Sequence, residues 1–510
     1  MQSTNSFIIS FDLGTTSFKA ALYDKEGNPI AKAVENAMVL HPKRGFAEQD
    51  PLKWWQQMAT LVSLLLKETN INAEKISCIV FSAQMCGTIA IDAQDQPLTP
   101  ALIWLDTRSE DLVRKKLAGK LSLFGYEIGS VLQWVYHCNG APNLSGKDPF
   151  SKHLWIKEEQ PEIWDKTQYC LDVKDFMLMC CTGKAVTSPD IAHFTWLYSL
   201  RTQQWSDNLI RKHGFDKKKL PCIAEPTSLI EGGLNENAAQ HLGLLEGTPV
   251  AVGLGDVGAA ALGSGAIGKS APHLYFGTGN WAAAHIEKPK VSPFTYIGSI
   301  SSAFNNRHLL IAAQESAGAS IEKVCRLLCE HTDIPAFLSL AEESVAGANG
   351  LLFMPWLHGE RAPVDNSSVR GGFLNMSFTT TRADMARAAL EGVVYNQLWV
   401  ARHLFKMAGN KTPDLLPVIG GLAQSDLIMQ TLADAFARPV ARVKDPQWAG
   451  TKGAFYCAAT ALGWYKSLDE ACQHVEIEKT FIPDEKICNL HQRRFKKFIQ
   501  AYKYINDWHR

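Results

Sequence analysis

Three stretches of the 510-residue chain carry the residue types that phosphate and proton chemistry need. The first is FDLGTTSFKAALYD, residues 11–24. An apolar run breaks at Asp12-Leu13-Gly14-Thr15-Thr16 and resumes toward Tyr23, so a carboxylate, a glycine and two hydroxyls crown an otherwise apolar hairpin. A tight glycine turn lets backbone N–H groups approach a phosphate, and small hydroxyls donate to its oxygens. Asp12 beside such a turn can hold Mg²⁺ through water. The second stretch is GLGDVGAAALGSG, residues 253–265, where glycines surround one carboxylate, Asp256. Asp256 either caps a helix over Val257–Leu262 or acts as a general base on a ligand that the glycines let come close. The third is YFGTGN, residues 275–280, which repeats strand, Gly-Thr, strand with Thr278 at its tip. One Gly-Thr turn is only a hairpin tip. Two, with an acid in one copy, suggest similar halves that grip a nucleotide.

Two other glycine patterns compete. Gly253-Leu-Gly255-Asp-Val-Gly258 matches a dinucleotide fingerprint, but the next apolar run, HLYF, ends in Gly277-Thr278 rather than in the acid a ribose requires. Gly263-Ser-Gly-Ala-Ile-Gly268-Lys269-Ser270 matches a P-loop, yet Pro272 and a strand follow where a helix should. Lys269 therefore reads as a surface-loop residue.

The elements that would position these groups alternate. Strands are expected at Phe7–Phe11, Phe18–Tyr23, Ile76–Phe81 and Pro249–Val252, and helices at about Pro51–Thr69 and Ser425–Ala437. Thr381-Arg-Ala-Asp384 is a capping box opening a helix toward Ala408, with Gly409 as its stop. The pattern restarts at Thr248, which suggests a boundary near 247. Formal net charge is +0, so no global field favours nucleic acid or an anionic membrane. Pro249 to Gly268 has the length of a membrane span but carries Asp256 at its middle, and reads as loop and helix. Twelve scattered cysteines and an MQSTNSF start without a basic-then-apolar signal are what a cytoplasmic chain is expected to show.

FDLGTTSFKAALYD, GLGDVGAAALGSG, YFGTGN, GGLAQSDLIMQTLADAFARPV and GTKGAFYCAATALG follow one another as they do in the FGGY carbohydrate kinases. The chain resembles that family, part of the actin-like, ribonuclease-H-like ATPase superfamily, over nearly its whole length. PLKWWQQM, FSAQMCG, IWLDTR, LDVKDFM and MPWLHGERAP bring it nearest to the xylulokinases within it.

The resemblance implies an α/β fold of two actin-like (ribonuclease-H-like) domains with an interdomain cleft. Residues 1–247 would bind sugar and 248–510 nucleotide. It implies ATP and Mg²⁺, with Asp12 near the metal, Thr15, Thr16 and Lys19 near the phosphates, and Thr278 on the transferring phosphate. Gly318, Gly421 and Ser425 match adenosine-binding positions, where a Cβ would clash with a flat base. Asp256 matches the general base, and Gln84, Met85, Cys86 and Asp106 join it around the sugar. A helix N-terminus favours an ionised Asp256, so a low-pKa carboxylate that orients the alcohol is expected; loose phosphoryl transfer tolerates one.

The sugar end departs from the xylulokinase pattern. Cys86 stands where those enzymes carry His, and Val257 where Asn follows the catalytic Asp. Trp134, Tyr136 or His137 are candidates for the replacement contacts. Asp106 either touches substrate or pairs with Arg108. The expected activity is transfer of the ATP γ-phosphate to a terminal hydroxyl of a ketopentose such as xylulose. Another ketose, a polyol, glycerol or a sugar acid stays open, as does an actin-like regulator without kinase activity. The expected partners are the sugar and ATP, with no nucleic acid or membrane; a homodimer is compatible with the family.

Overall fold

The computed structural model describes residues 6–119, 121–123, 125–315, 317–329, 332–409 and 414–508. The leader reading of residues 1–7 falls mostly outside them. The chain divides into two compact units. The first comprises residues 1–263, 300–307 and 450–474; the second comprises 264–299, 308–449 and 475–510.

The first unit is built on strands β1 (Phe7–Leu13), β2 (Ser17–Tyr23), β3 (Pro29–Asn36), β4 (Ile76–Ala83) and β5 (Val250–Gly255). With a short edge strand, Leu229–Ile230, they form a six-stranded sheet in which β5, β4, β1, β2 and β3 are neighbours in that order. β1, β2 and β3 run antiparallel, while β4 and β5 run parallel to β1. Helix α1 (Pro51–Thr69) covers one face through Trp54, Met58, Leu61, Val62 and Leu65, spaced at helical intervals. Asp50 caps it by accepting from the Leu52 N–H at 3.0 Å, Pro51 fills its first turn, and Asn70 ends it in a left-handed conformation. Each of those apolar side chains contributes about 1.5–3 kcal/mol when buried. Further along come α2 (Val173–Thr182) and α3 (Asp256–Gly263), the latter starting where β5 stops.

The second unit repeats the plan with β6 (Pro272–Phe276), β7 (Asn280–Ile286), β8 (His308–Ala313), β9 (Leu416–Ile419) and β10 (Val440–Val443). Their order is β8-β7-β6-β9-β10, again an antiparallel meander followed by two parallel strands. Helices α4 (Gly318–Leu328), α5 (Arg382–Ala408) and α6 (Asp426–Phe436) complete it. The capping box at Thr381 and Asp384 forms, and Gly409 ends α5 at φ 83°. Each unit has its own apolar core. Helix α7 (Ala449–Ala461) lies across the boundary at residue 450, with all but its first residue in the first unit. No helix among the described residues is long and apolar enough to cross a membrane. None of the twelve cysteines forms a disulfide.

Candidate active site

Register brings the first unit's candidate residues to one edge of its sheet. Asp12 pairs with Ser82 and Leu13 with Ala83 across β1 and β4, while Leu254 pairs with Ser82 and Gly255 with Ala83 across β5 and β4. Three parallel strands therefore end level. They deliver Asp12, the Gln84-Met85-Cys86 turn and Asp256 to the same carboxyl edge, where open α/β sheets place ligands. Asp12 accepts from Ser82 Oγ at 2.8 Å. Lys19 lies opposite Asp12 in the β1–β2 register, hence on the same face of the sheet. Thr16 is exposed at the hairpin tip.

Two features shape the approach of Asp256. Gly253 has φ +65°, and a Cβ there would sit 2.1 Å from the Phe81 carbonyl oxygen, so only glycine lets β5 kink against β4. The Gly255 N–H donates to Asp190 Oδ2 at 2.7 Å, while Ser188 Oγ donates to Asp190 Oδ1 at 2.5 Å. Met85 packs where a side chain on Gly255 would stand. Asp256 Oδ1 itself accepts the Val257 N–H at 2.8 Å, so it tends its own helix N-terminus.

The Asp256 carboxyl is pushed up to about 8, by burial and then by the charge of Asp12, with smaller contributions from Asp172 and Asp190; the Val257 N–H works the other way. The expected low pKa is thus reversed. One backbone N–H and a helix terminus do not outweigh lost solvation and a neighbouring carboxylate. Part of the residue's surface still meets solvent.

The Thr15 side chain turns inward, toward Gln84 and Trp104. Its hydroxyl donates to Gln84 Oε1 at 3.0 Å and accepts from Trp104 Nε1 at 2.8 Å, while Gln49 Nε2 donates to its carbonyl at 2.9 Å. Gln84 Nε2 in turn donates to Gln49 Oε1 at 2.6 Å. This network fixes Gln84 and presents the half-buried Trp104 beside it, a residue the motif IWLDTR contains but sequence reasoning left unused.

Four candidates at the sugar end are held by partners of their own. Asp106 is fully buried and accepts from the Ala47 N–H at 2.7 Å and from Arg108 at 2.8 and 3.0 Å. Arg108 also reaches Glu48 at 2.5 Å and stacks on Phe46 at 3.7 Å. Of its two readings, the pairing of Asp106 with Arg108 is the one present here. Trp134 is core, stacked on His213 at 4.5 Å, and His137 bonds Ser199 Oγ at 3.1 Å. Tyr136 is exposed under Arg201. A residue of the same segment reaches Cys86: Lys152, fully buried, whose Nζ donates to the Cys86 carbonyl and to the Lys147 carbonyl at 2.8 Å. No spacing signal marks it. A lysine within DPFSKHLW reads as a solvated helix residue until the fold shows where it points.

In the second unit, Thr278 is exposed at the β6–β7 tip. Its carbonyl accepts the N–H groups of Ala317 and Ala319 at 3.1 Å each, which sets the start of α4 against the turn. A Cβ on Gly318 would lie 2.4 Å from the Gly277 carbonyl oxygen, so that glycine serves the close approach of α4 to the turn. Gly421 has nothing within 4 Å of its missing Cβ, the open face a flat base needs. A Cβ on Gly420 before it, at φ +97°, would instead lie 2.2 Å from the Phe276 carbonyl oxygen. Ser425 caps α6 through the Ile428 N–H at 3.3 Å. Because β6 and β9 are parallel neighbours, Thr278 and Gly421 emerge from adjacent strand ends.

Lys269 forms an exposed ion pair with Glu287 at 2.8 Å, and β6 follows it. No helix N-terminus underlies it. Lys269→Ala is expected to leave the ATP KM within about twofold, since exposed pairs are worth 0–1 kcal/mol; a large rise in initial-rate measurements would restore the P-loop reading.

Two sheets of like order, each an antiparallel meander with parallel strands added on one side, define the actin-like, ribonuclease-H-like fold. The family models for the N-terminal and C-terminal domains of the FGGY family of carbohydrate kinases match residues 7–263 and 276–462. The chain belongs to the FGGY family of carbohydrate kinases, phosphotransferases that act on an alcohol group. It is 26% identical over 500 residues to the xylulose kinase of Staphylococcus epidermidis, covering 97% of this chain and 96% of the relative. It is 30% identical over 476 residues to the gluconokinase of Bacillus subtilis, covering 91% and 89%. The crystal structure of ligand-bound xylulose kinase from Lactobacillus acidophilus superposes with a TM-score of 0.87 at 26% identity, covering 99% of each chain.

Proposed function

We propose that this carbohydrate kinase transfers the γ-phosphate of ATP to the terminal hydroxyl of a ketopentose, with xylulose the leading acceptor. The first unit holds the sugar and the second the nucleotide. The carrying observation is the Asp12–Asp256 pair, two carboxylates delivered to level strand ends, where burial and then the charge of Asp12 push the Asp256 carboxyl up. In its ionised form, which a Mg²⁺ held at Asp12 would favour, Asp256 accepts the hydroxyl proton and orients its oxygen at phosphorus. Gln84, Met85 and Cys86 line the sugar, and Thr15 steadies Gln84. Thr16 and Lys19 in the first unit and Thr278 in the second are candidate phosphate ligands, and Gly421 offers its bare backbone to the base, with Gly318 and Ser425 beside it. ATP as donor supports a cytoplasmic enzyme.

Magnesium fits this donor set. No cluster of three or more His, Cys, Asp or Glu among the described residues could cage a metal, and Mg²⁺ asks for less: one or two carboxylates, with phosphate oxygens and water. Asp12 would hold it. Bound there, the ion supplies the positive charge that the two carboxylates and the transferring phosphate lack.

One observation favours a second acceptor, a sugar acid. Lys147 Nζ lies 6.0 Å from the centre of the Trp104 ring, beside the Thr15–Gln84 network, where it can meet a carboxylate. Coupled ADP-release measurements over pentuloses, hexuloses, polyols and sugar acids decide between them. Xylulose is expected to give the highest kcat/KM; no turnover of any of these would refute the proposal. Cys86→His should raise selectivity for xylulose roughly tenfold or more if the position faces substrate. Histidine tolerates the left-handed backbone there, φ 66°, better than most residues. An unchanged acceptor profile would remove Cys86 from the sugar site.

A further inference from the structure

One peptide group in the acceptor turn is held at both ends by buried charges. The carbonyl of Cys86 accepts from Lys152 Nζ, and the N–H of the same peptide bond, that of Gly87, donates to Asp172 Oδ1 at 2.9 Å. Lys152 stands on the helix Pro149–Glu159, and Asp172 caps α2, where its Oδ1 also accepts the Val173 N–H at 2.7 Å. Both side chains are buried, Lys152 completely. A peptide dipole whose oxygen faces an ammonium and whose N–H faces a carboxylate has one favoured orientation, and low polarity around it magnifies the preference. Flipping the peptide would set oxygen against carboxylate. The held conformation is one Cys86 would not choose: φ 66° is left-handed, costing a non-glycine residue about 1–2 kcal/mol. Behind Gly87, next to His153, Asp172, Asp175 and Thr187, the cavity measures about 10 Å³, room for no more than a water. A sugar cannot be what this charge pair binds.

We propose that Lys152 and Asp172 are positioning residues that clamp the Cys86–Gly87 peptide and thereby fix the direction of the Cys86 side chain and the acceptor preference of the kinase. The inference rests on the proposed acceptor site for its consequence in catalysis, but not for the clamp itself. Burial lowers the Lys152 ammonium, and the nearby Cys86, Asp106, Asp172 and Asp148 oppose that fall. Burial and then Asp175 push the Asp172 carboxyl up, while the Val173 N–H, Lys152 and the Gly87 N–H hold it down. Neither group needs to touch the sugar to shape its site.

The clamp is read independently of turnover by iodoacetamide alkylation of Cys86, mapped by mass spectrometry, with exposed Cys222 as internal reference. Lys152→Met and Asp172→Asn should each change the Cys86 rate at least about fivefold and leave Cys222 unaltered, because thiol reactivity follows nearby charge and access. Should either single variant not fold, the Lys152→Met/Asp172→Asn pair removes both charges together and is read the same way. Unchanged alkylation overturns the clamp. In steady-state kinetics Lys152→Met should raise the acceptor KM about tenfold with the ATP KM within about twofold. In a Cys86→Gly background, where glycine adopts the turn without strain, adding Lys152→Met should shift the acceptor KM by less than about twofold. Equal shifts in both backgrounds would show general damage and overturn the positioning role. If the unaltered enzyme phosphorylates none of the acceptors, the acceptor reading fails while the alkylation result still decides the clamp.

Discussion

Asp256→Asn is expected to lower kcat roughly a hundred- to ten-thousandfold, the usual weight of a positioned acid–base group, with the ATP KM within several-fold. The substitution keeps the shape of the side chain and its bond to the Val257 N–H, and removes only the ability to accept a proton. A variant with near-normal kcat would remove Asp256 from catalysis. The same change should stabilise the ligand-free protein. A carboxyl whose folded value lies at about 8 contributes stability below its ordinary value of about 4, and that contribution is lost as pH rises through 8. Asparagine has no such loss. The unfolding free energy of the variant should match that of the unaltered enzyme near pH 4 and exceed it increasingly up to about pH 8, by on the order of 2–4 kcal/mol after allowing for solvent screening, with a higher Tm to match. Equal melting curves at pH 9 would mean that burial and Asp12 do not strain Asp256.

Gly450→Ala should raise the Mg²⁺ concentration for half-maximal rate about ten- to a hundredfold, the range for groups that orient a metal's ligands. A Cβ at 450 would stand 2.6 Å from Asp12 Oδ2 and 2.7 Å from its Cγ. Asp12 is short and can turn aside only by giving up the 2.8 Å bond from Ser82. The intruding methyl therefore moves the carboxylate while the core of β1 stays intact. Magnesium titrations of initial rate measure it, and an unaltered requirement would argue against Asp12 as the metal's holder.

Much of this was legible because it is local. The apolar runs around Asp12, the Gly-Thr turn at Thr278 and the caps of α1 and α5 are short-range signals. The repeated turn did point to two like sheets, although one repeat cannot reveal that β4 joins β1 and β5 joins β4. Four things were not legible. Lys152, Asp172 and Asp190 act on turns far away in sequence, and nothing in DPFSKHLW, LDVKDFM or SPD says which peptide they reach. Asp106 has the right type for a sugar ligand and is spent on Arg108. The pKa of Asp256 went the other way because a helix terminus is visible in sequence, whereas desolvation and the distance to Asp12 exist only in three dimensions. Residues 248–263 lie past the restart of the pattern at Thr248, yet β5 pairs with β4 and stays with the first unit.

Helix α7 returns to the first unit after the second has been traced, and its fit is close. Thr451 accepts through its carbonyl from Ser10 Oγ at 2.6 Å and bonds Tyr23 through its hydroxyl at 2.8 Å, while a Cβ on Gly453 would lie 1.9 Å from the Ala259 carbonyl oxygen. On the ribosome, the amino-terminal globule must wait for residues 450–474 before Asp12 gains its final wall. A fragment ending at residue 263 would hold the proposed base and still lack the glycine that packs against Asp12.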